Sequence, residues 1–319
     1  MTEQKTEQAQ KDLAETRIHS RAEELKFALH LMKRNKLVLV GLAITLAAIV
    51  IALTANVLVD PKLAIFNDFN LRSCWNNSWI DWGLKSVNTC SGTRIFPLGT
   101  DAYGRDLLGL IILSIPLDLG IAFEVVISAF IIGIVFGSVA AYAGGFLDEA
   151  ILRVTDIFFA LPVIVFALVV VISIPNGRTI PVLTGVVLLT WWPIYVRLIR
   201  SQVLAEKEKP YTEALRAVGA SRFRILFLHI IPNSIYPVFV QATLDIGGVI
   251  LAVSTLMFIG LTPSLELPEL GNLSNQGLSY VNQAPWLLIF PGLTILIIAL
   301  GFNLLGDGIR DILDPRLRR

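Results

Sequence analysis

Four carboxylates stand in or beside long apolar runs of this chain: Asp118, Glu124, Asp156 and Asp245. A carboxylate in lipid is costly, so each of them has to face a bundle interior, a water-filled path or a partner. Asp156 follows Arg153 by three residues, where that arginine or nearby backbone could satisfy it. Glu124 and Asp245 are candidates for lining a translocation path or for pairing across an interface between chains. They could also serve as proton or cation sites of an ion-coupled transporter. Other chemistry is poorly represented. His19, His30 and His229 are scattered and share no ligand spacing with the cysteines, so no metal site is expected. No paired histidine site and no nucleophile constellation occurs, so no catalytic residue is assigned.

The elements that position these groups follow from composition. The chain has 319 residues, of which 55% are hydrophobic and 16% charged. A soluble domain of that size cannot hide so much apolar surface, which points to an all-α integral membrane protein. A formal net charge of +1 leaves no basic field for nucleic acid.

Six segments are long enough for a helix to cross the bilayer: 37–59, 117–143, 151–174, 180–201, 234–261 and 286–306. They lack the alternation of barrel strands, and hydrogen-bond economy in lipid leaves helices as the remaining choice. The body of the protein is thus expected over 37–306. Residues 1–36 form a polar tail ending in an amphipathic stretch from Arg21 to Lys36, suited to the membrane surface or to a solvated extension of the first span. Residues 307–319 form a second tail. Of the 26 lysines and arginines, 20 lie on the side of the N-terminus and 6 on the other. That asymmetry places both termini in the cytoplasm.

The loop 60–116 is then extracytoplasmic and holds both cysteines, Cys74 and Cys90. Sharing one such loop favours their pairing. Closing about 15 residues would stabilise the loop by about 3 kcal/mol in the chain-entropy account. Trp75, Trp79 and Trp82 have approximate helical spacing there and could offer an aromatic face to a binding protein. Small residues at Gly133, Gly137, Ala141 and Gly145 mark one face of the second span for close helix packing. Pro162, Pro193, Pro237 and Pro291 lie within or near span ends and could kink them.

The cytoplasmic loop 201–233 is long without being low in complexity. Its stretch "EKEKPYTEALRAVGAS" sets Pro210 at a plausible first helical turn and Gly219 at a break. "SRFRILFLHII" then resumes helical spacing up to Pro232. The expectation is two short helices joined by a sharp turn, standing out from the membrane as a docking element.

The stretch "EALRAVGASRFRILFLHIIP" resembles the EAA loop of ATP-binding-cassette (ABC) import permeases. That pattern runs Glu-Ala-Ala, three residues, Gly, nine residues, then a short apolar stretch ending in Pro. Glu213, Ala214, Gly219 and Pro232 fall on it, Leu215 replaces the second alanine, and His229 stands where many importers have isoleucine. "PLGTDAYGRDLL" (97–108), "YAGGFLDEAILRVTDIFFALP" (142–162), "APWLLIFPGL" and "GFNLLGDGIRDILDPR" (301–316) agree in order and spacing. Together they resemble the C-type permease chain of the dipeptide/oligopeptide/nickel family, from about residue 30 to the end. After "GRDLL" that family often has Ser-Arg and later Gly-x-Arg. Here stand Gly109, Leu110, Ser114 and Pro116, and the cysteine loop is longer than usual.

The resemblance implies a permease subunit working beside a homologous permease, two cytoplasmic ATPase subunits and an extracytoplasmic substrate-binding protein. Glu213 would meet a basic groove residue of an ATPase, Ala214 and Ala217 would allow close packing, and Gly219 would set the angle between the helices. ATP and magnesium would belong to the ATPases, since this chain has no glycine-rich phosphate loop and needs no cofactor of its own. Dipeptides or oligopeptides are the expected cargo, with oligosaccharides or nickel complexes as alternatives for the same machine.

Overall fold

The computed structural model describes residues 35–60, 97–101, 105–175, 177–264 and 266–313. Most of the Arg21–Lys36 surface helix, the Cys74–Cys90 pair and the three loop tryptophans lie outside the described residues. Among the described residues the architecture is all helical. The elements are α1 (Lys36–Leu58), α2 (Leu107–Ala143), α3 (Gly145–Phe159), α4 (Val163–Ser173), α5 (Ile180–Lys207), α6 (Pro210–Ala217) and α7 (Arg222–Ile225). A π-turn over Leu226–Ile230 leads into α8 (Ile231–Ser234), followed by α9 (Tyr236–Phe258), α10 (Leu270–Leu278) and α11 (Trp286–Leu313).

Helices α1, α2, α5, α9 and α11 are each long and apolar enough to cross a bilayer. Several of their hydroxyls are satisfied inside the helix, as lipid favours. Thr45 Oγ1 donates to the Gly41 carbonyl at 2.6 Å and Ser114 Oγ to that of Leu110 at 2.7 Å. Helix starts are capped by side chains, Asn35 for α1, Asp106 for α2 and Thr179 for α5.

The helices depart from the sequence expectation in four places. The helix of the second span begins well before 117, at Leu107. Asp106 Oδ1 accepts the Leu108 N–H at 3.1 Å, and the helix runs from Leu107 for 37 residues, with Pro116 inside it. At 1.5 Å per residue that is about 55 Å, well beyond the ~30 Å hydrocarbon core. The third span is not one helix: α3 and α4 meet at 87°. Pro162, in extended conformation with ψ 124°, begins α4, and a residue before proline is steered away from the helical region. The last helix continues past 306 to Leu313, and α5 past 201 to Lys207.

The centre of the bundle is the α2–α5 pair. A Cβ added at Gly133 would stand 2.3 Å from Tyr195 Cβ, and one at Gly137 would stand 2.6 Å from the Val196 carbonyl oxygen. The small-residue face of α2 therefore packs on α5, as its spacing predicts, down to the buried Ala141. Gly145 departs from that face, beginning α3 with φ 59° in open space. Helix α1 lies along α11, with Gly41 against Leu304, and α9 bridges α11 and α2. Without a hydrophobic drive between helices in lipid, such close van der Waals contact is the main source of cohesion.

Helix α10 is an element the span pattern does not predict, because nine residues with little hydropathy leave no trace in it. It is nevertheless among the most buried parts of the protein, packed against α9, α11 and the first part of α2. Gly271 sits on the Ser254 backbone and Gly277 on that of Leu287, both closer than a side chain would permit.

Candidate functional site

The segment between α5 and α9 takes the predicted form of two short helices with a sharp turn. Helix α6 ends in a Schellman motif: the Ala220 N–H donates to the Leu215 carbonyl and the Gly219 N–H to that of Arg216, both at 3.0 Å. The motif requires a left-handed residue, and Gly219 supplies it with φ 79°. Ser221 then caps α7, accepting the Arg224 N–H at 3.3 Å. Pro232 accounts for the π-turn that precedes it. Proline has no N–H to return to the preceding helical turn, and the Ile231 N–H reaches back five residues to Leu226.

One face of this segment is buried through Thr212, Ile225, Leu226, Ile230 and Ile231. The opposite face presents Glu213, Ala214, Ala217 and Gly219 together, all exposed, while Pro232 is exposed at the far end. Beside them stand Val218, 80% exposed, and Phe223, 71% exposed, whose ring lies 4.3 Å from that of Phe227. Arg216, Arg222 and Arg224 are exposed around this apolar patch. An apolar patch rimmed by charge marks an interaction surface.

Sequence reasoning missed the residue that fixes this element to the bundle. Glu206, in the last turn of α5, is 8% exposed and serves both sides of the junction. Its carboxylate accepts the Tyr211 hydroxyl at 2.8 Å and pairs with Lys209, while its carbonyl accepts the Thr212 hydroxyl at 3.0 Å. Within the run "EKEK" nothing distinguishes it from a solvated charge. From that knuckle the inner end of α5 is tied to its neighbours. Lys207 Nζ donates to the Ala141 and Tyr142 carbonyls at the end of α2, each at 3.3 Å. Arg200 holds Asp148 of α3 through two bonds of 2.6 and 2.7 Å. Asp156 pairs with Arg197 rather than with Arg153, which bonds Glu149 at 3.2 Å. The Arg197 guanidinium also lies 4.1 Å from the centre of the Phe159 ring. Helix α6 is thereby linked through α5 to α3 and α2. We expect Glu206→Ala to reduce transport about tenfold or more while the chain still inserts, since it removes the carboxylate that holds Tyr211 and Lys209 and leaves only the Thr212–carbonyl bond across the junction. Transport rate compared with membrane content checks this, and unchanged transport at equal content contradicts it.

The membrane carboxylates separate by environment. Asp245 is 9% exposed and turned inward, accepting Gln241 Nε2 at 2.9 Å, with Tyr195 and Trp191 of α5 beside it. Glu124 is exposed near the middle of α2, on a face shared with Gly120, Ile127 and Ile131. Asp118 is buried where α10 begins, its Oδ2 accepting the Leu270 N–H at 3.3 Å. Nearby, Arg105 is 3% exposed and joins Asp101 at 2.5 Å to Gln276 of α10 at 2.7 Å. Arg105, paired with Asp101, thus ties α10 to the approach to α2.

Residues 133–319 match the family described as binding-protein-dependent transport system inner membrane component. The dipeptide transport system permease protein DppC of Alkalihalophilus pseudofirmus is 35% identical, covering 90% of this chain and 88% of that protein. The di/tripeptide transport system permease protein DppC of Pseudomonas aeruginosa is 36% identical over 89% of each. The oligopeptide transport system permease protein OppC of Bacillus subtilis is 30% identical over 92% of this chain and 90% of its own length. The multi-helix membrane bundle, its exposed helix–Gly219–helix segment and these similarities agree: the chain belongs to the family of binding-protein-dependent transport system inner membrane components.

Proposed function

We propose that this chain is a permease subunit of an ATP-driven importer that carries dipeptides or oligopeptides across the cytoplasmic membrane of a prokaryote. Its partners are a homologous permease, two cytoplasmic ATPase subunits and an extracytoplasmic substrate-binding protein, and ATP with magnesium is bound by the ATPases. Both termini face the cytoplasm, as does the segment 201–233. The observation that carries this reading is the docking face of that segment, Glu213, Ala214 and Ala217 beside the Gly219 turn, fixed rigidly to α5. The names of the relatives at 30–36% identity support the cargo class.

The mechanism follows from that geometry. The ATPase pair closes on binding ATP and opens after hydrolysis, moving the docked α6. Glu206 keeps α6 from swivelling, so the movement becomes a shift of α5 with α2 and α3 against the second permease. That shift exposes the path to one side of the membrane and then to the other. Glu124 is exposed at mid-helix, where a carboxylate cannot face lipid cheaply, so it lines the path or meets the partner permease. The test is to purify the assembly with its binding protein and identify the released ligand by mass spectrometry. Short peptides are the expected result. Sugars or a metal complex would keep the machine and overturn the cargo.

A further inference from the structure

At the end of the bundle remote from α6, two carboxyl groups meet in a fully enclosed place. Asp118 of α2 is 2% exposed and Glu269, which begins α10, is 0% exposed. Each has one oxygen satisfied by the first turn of α10: Asp118 Oδ2 accepts the Leu270 N–H, and Glu269 Oε2 accepts the Asn272 N–H at 2.6 Å. Each has a second oxygen, Asp118 Oδ1 and Glu269 Oε1, that is buried without a hydrogen-bond partner. Leu270 directly follows Glu269, so the bond from its N–H sets the Asp118 carboxyl against the start of α10, beside Glu269. Ser254 of α9, 3% exposed, adds a third buried oxygen without a partner, and its backbone lies against Gly271 in the first turn of α10.

No cationic side chain of the surrounding helices neutralises the pair. Helices α2, α9 and α10 contain no lysine, arginine or histidine at all, and α11 has its first at Arg310. Other charged groups on these elements are elsewhere engaged or outward. Arg105 is bound to Asp101, and Asp106 caps α2. Asp245 is bound to Gln241, while Glu124 and Glu266 are exposed. Two adjacent buried carboxylates cannot both stay ionised, because their repulsion and desolvation far exceed the cost of taking up a proton.

We propose that Asp118 and Glu269 form a proton-binding site in which one shared proton joins their two unpartnered oxygens and holds α10 against α2 and α9. Ser254 completes the site by donating its hydroxyl to the carboxyl that stays ionised. Burial pushes the Glu269 carboxyl up from its ordinary value, as the position demands. In water the same groups ionise near about pH 4. The seated form therefore binds protons that a released α10 would shed, so raising the pH favours release. For each proton shed on release, the released fraction rises about tenfold per pH unit across that window. The site makes the seating of α10 sensitive to alkalinity, with the proton as its ligand.

The full chain in lipid nanodiscs tests this by infrared spectroscopy and hydrogen exchange across pH. The expected result is a protonated-carboxyl C=O stretching band at neutral pH that vanishes on alkalinisation, together with α10 amide exchange that rises more steeply than the base-catalysed rate of a free amide. Asp118→Asn and Glu269→Gln, each with one amide in place of the proton, should remove the pH dependence of α10 protection, read as the ratio of free-amide to observed exchange rate. Absence of the band in the unmodified chain at neutral pH would overturn the proposal, whether or not the variants fold. So would α10 protection that depends on sodium or calcium at fixed pH, which would make the pair a cation site.

Discussion

We expect Gly219→Pro to abolish coupled transport while leaving the chain inserted in the membrane. Proline fixes φ near −65°, whereas Gly219 stands at 79°, and it removes the N–H that donates to Arg216. The turn between α6 and α7 would then open and the docking face would lose its shape. No span depends on that turn, so insertion should survive. A graded series separates geometry from mere presence of a side chain. Asparagine tolerates the left-handed region and should retain most transport. Alanine, which meets no neighbouring atom here, pays only for its backbone, about 1 kcal/mol, and should fall between. Uptake measured beside membrane content reads the series. Normal uptake by the proline variant would remove the segment from the coupling route.

The second large effect concerns the bundle itself. Gly133→Val should cost at least ~3 kcal/mol and prevent the chain from accumulating in folded form, because even its Cβ falls inside Tyr195. The clash is with Tyr195 Cβ and backbone, which no rotamer change relieves. The control is Gly120→Ala on the same helix, where a Cβ meets nothing within 4 Å and Ala improves helix propensity. Detergent-solubilised chains compared by thermal unfolding should place Gly133→Val far below the unmodified chain and Gly120→Ala near it. Equal stability of the two variants would contradict α2–α5 packing as described.

How far the sequence carried these features depends on the range of the forces involved. Long apolar runs declare spans because the bilayer imposes its thickness, and the Gly219 turn is legible because few residues accept its conformation. The start of α2 was misplaced because Asp106 reads as loop polarity until its capping bond is seen. The break between α3 and α4 is signalled by Pro162, but the run of hydropathy on both sides of it does not separate a kink from two helices at 87°. Helix α10 is too short and too polar for any span criterion, and its burial comes entirely from partners distant in the chain. For the same reason Asp118 and Glu269 could not be paired from spacing. Glu206 escaped notice because a buried hub and a solvated glutamate look alike within a charged run.

The most direct test of the central claim is uptake of a labelled dipeptide into proteoliposomes holding the complete assembly, with its binding protein on the outside and ATP enclosed. The account predicts uptake that requires ATP and the binding protein, and that is lost when this chain carries Glu213→Lys, which reverses the charge on the docking face. Uptake that proceeds without ATP, driven by an ion gradient and indifferent to Glu213→Lys, would contradict it.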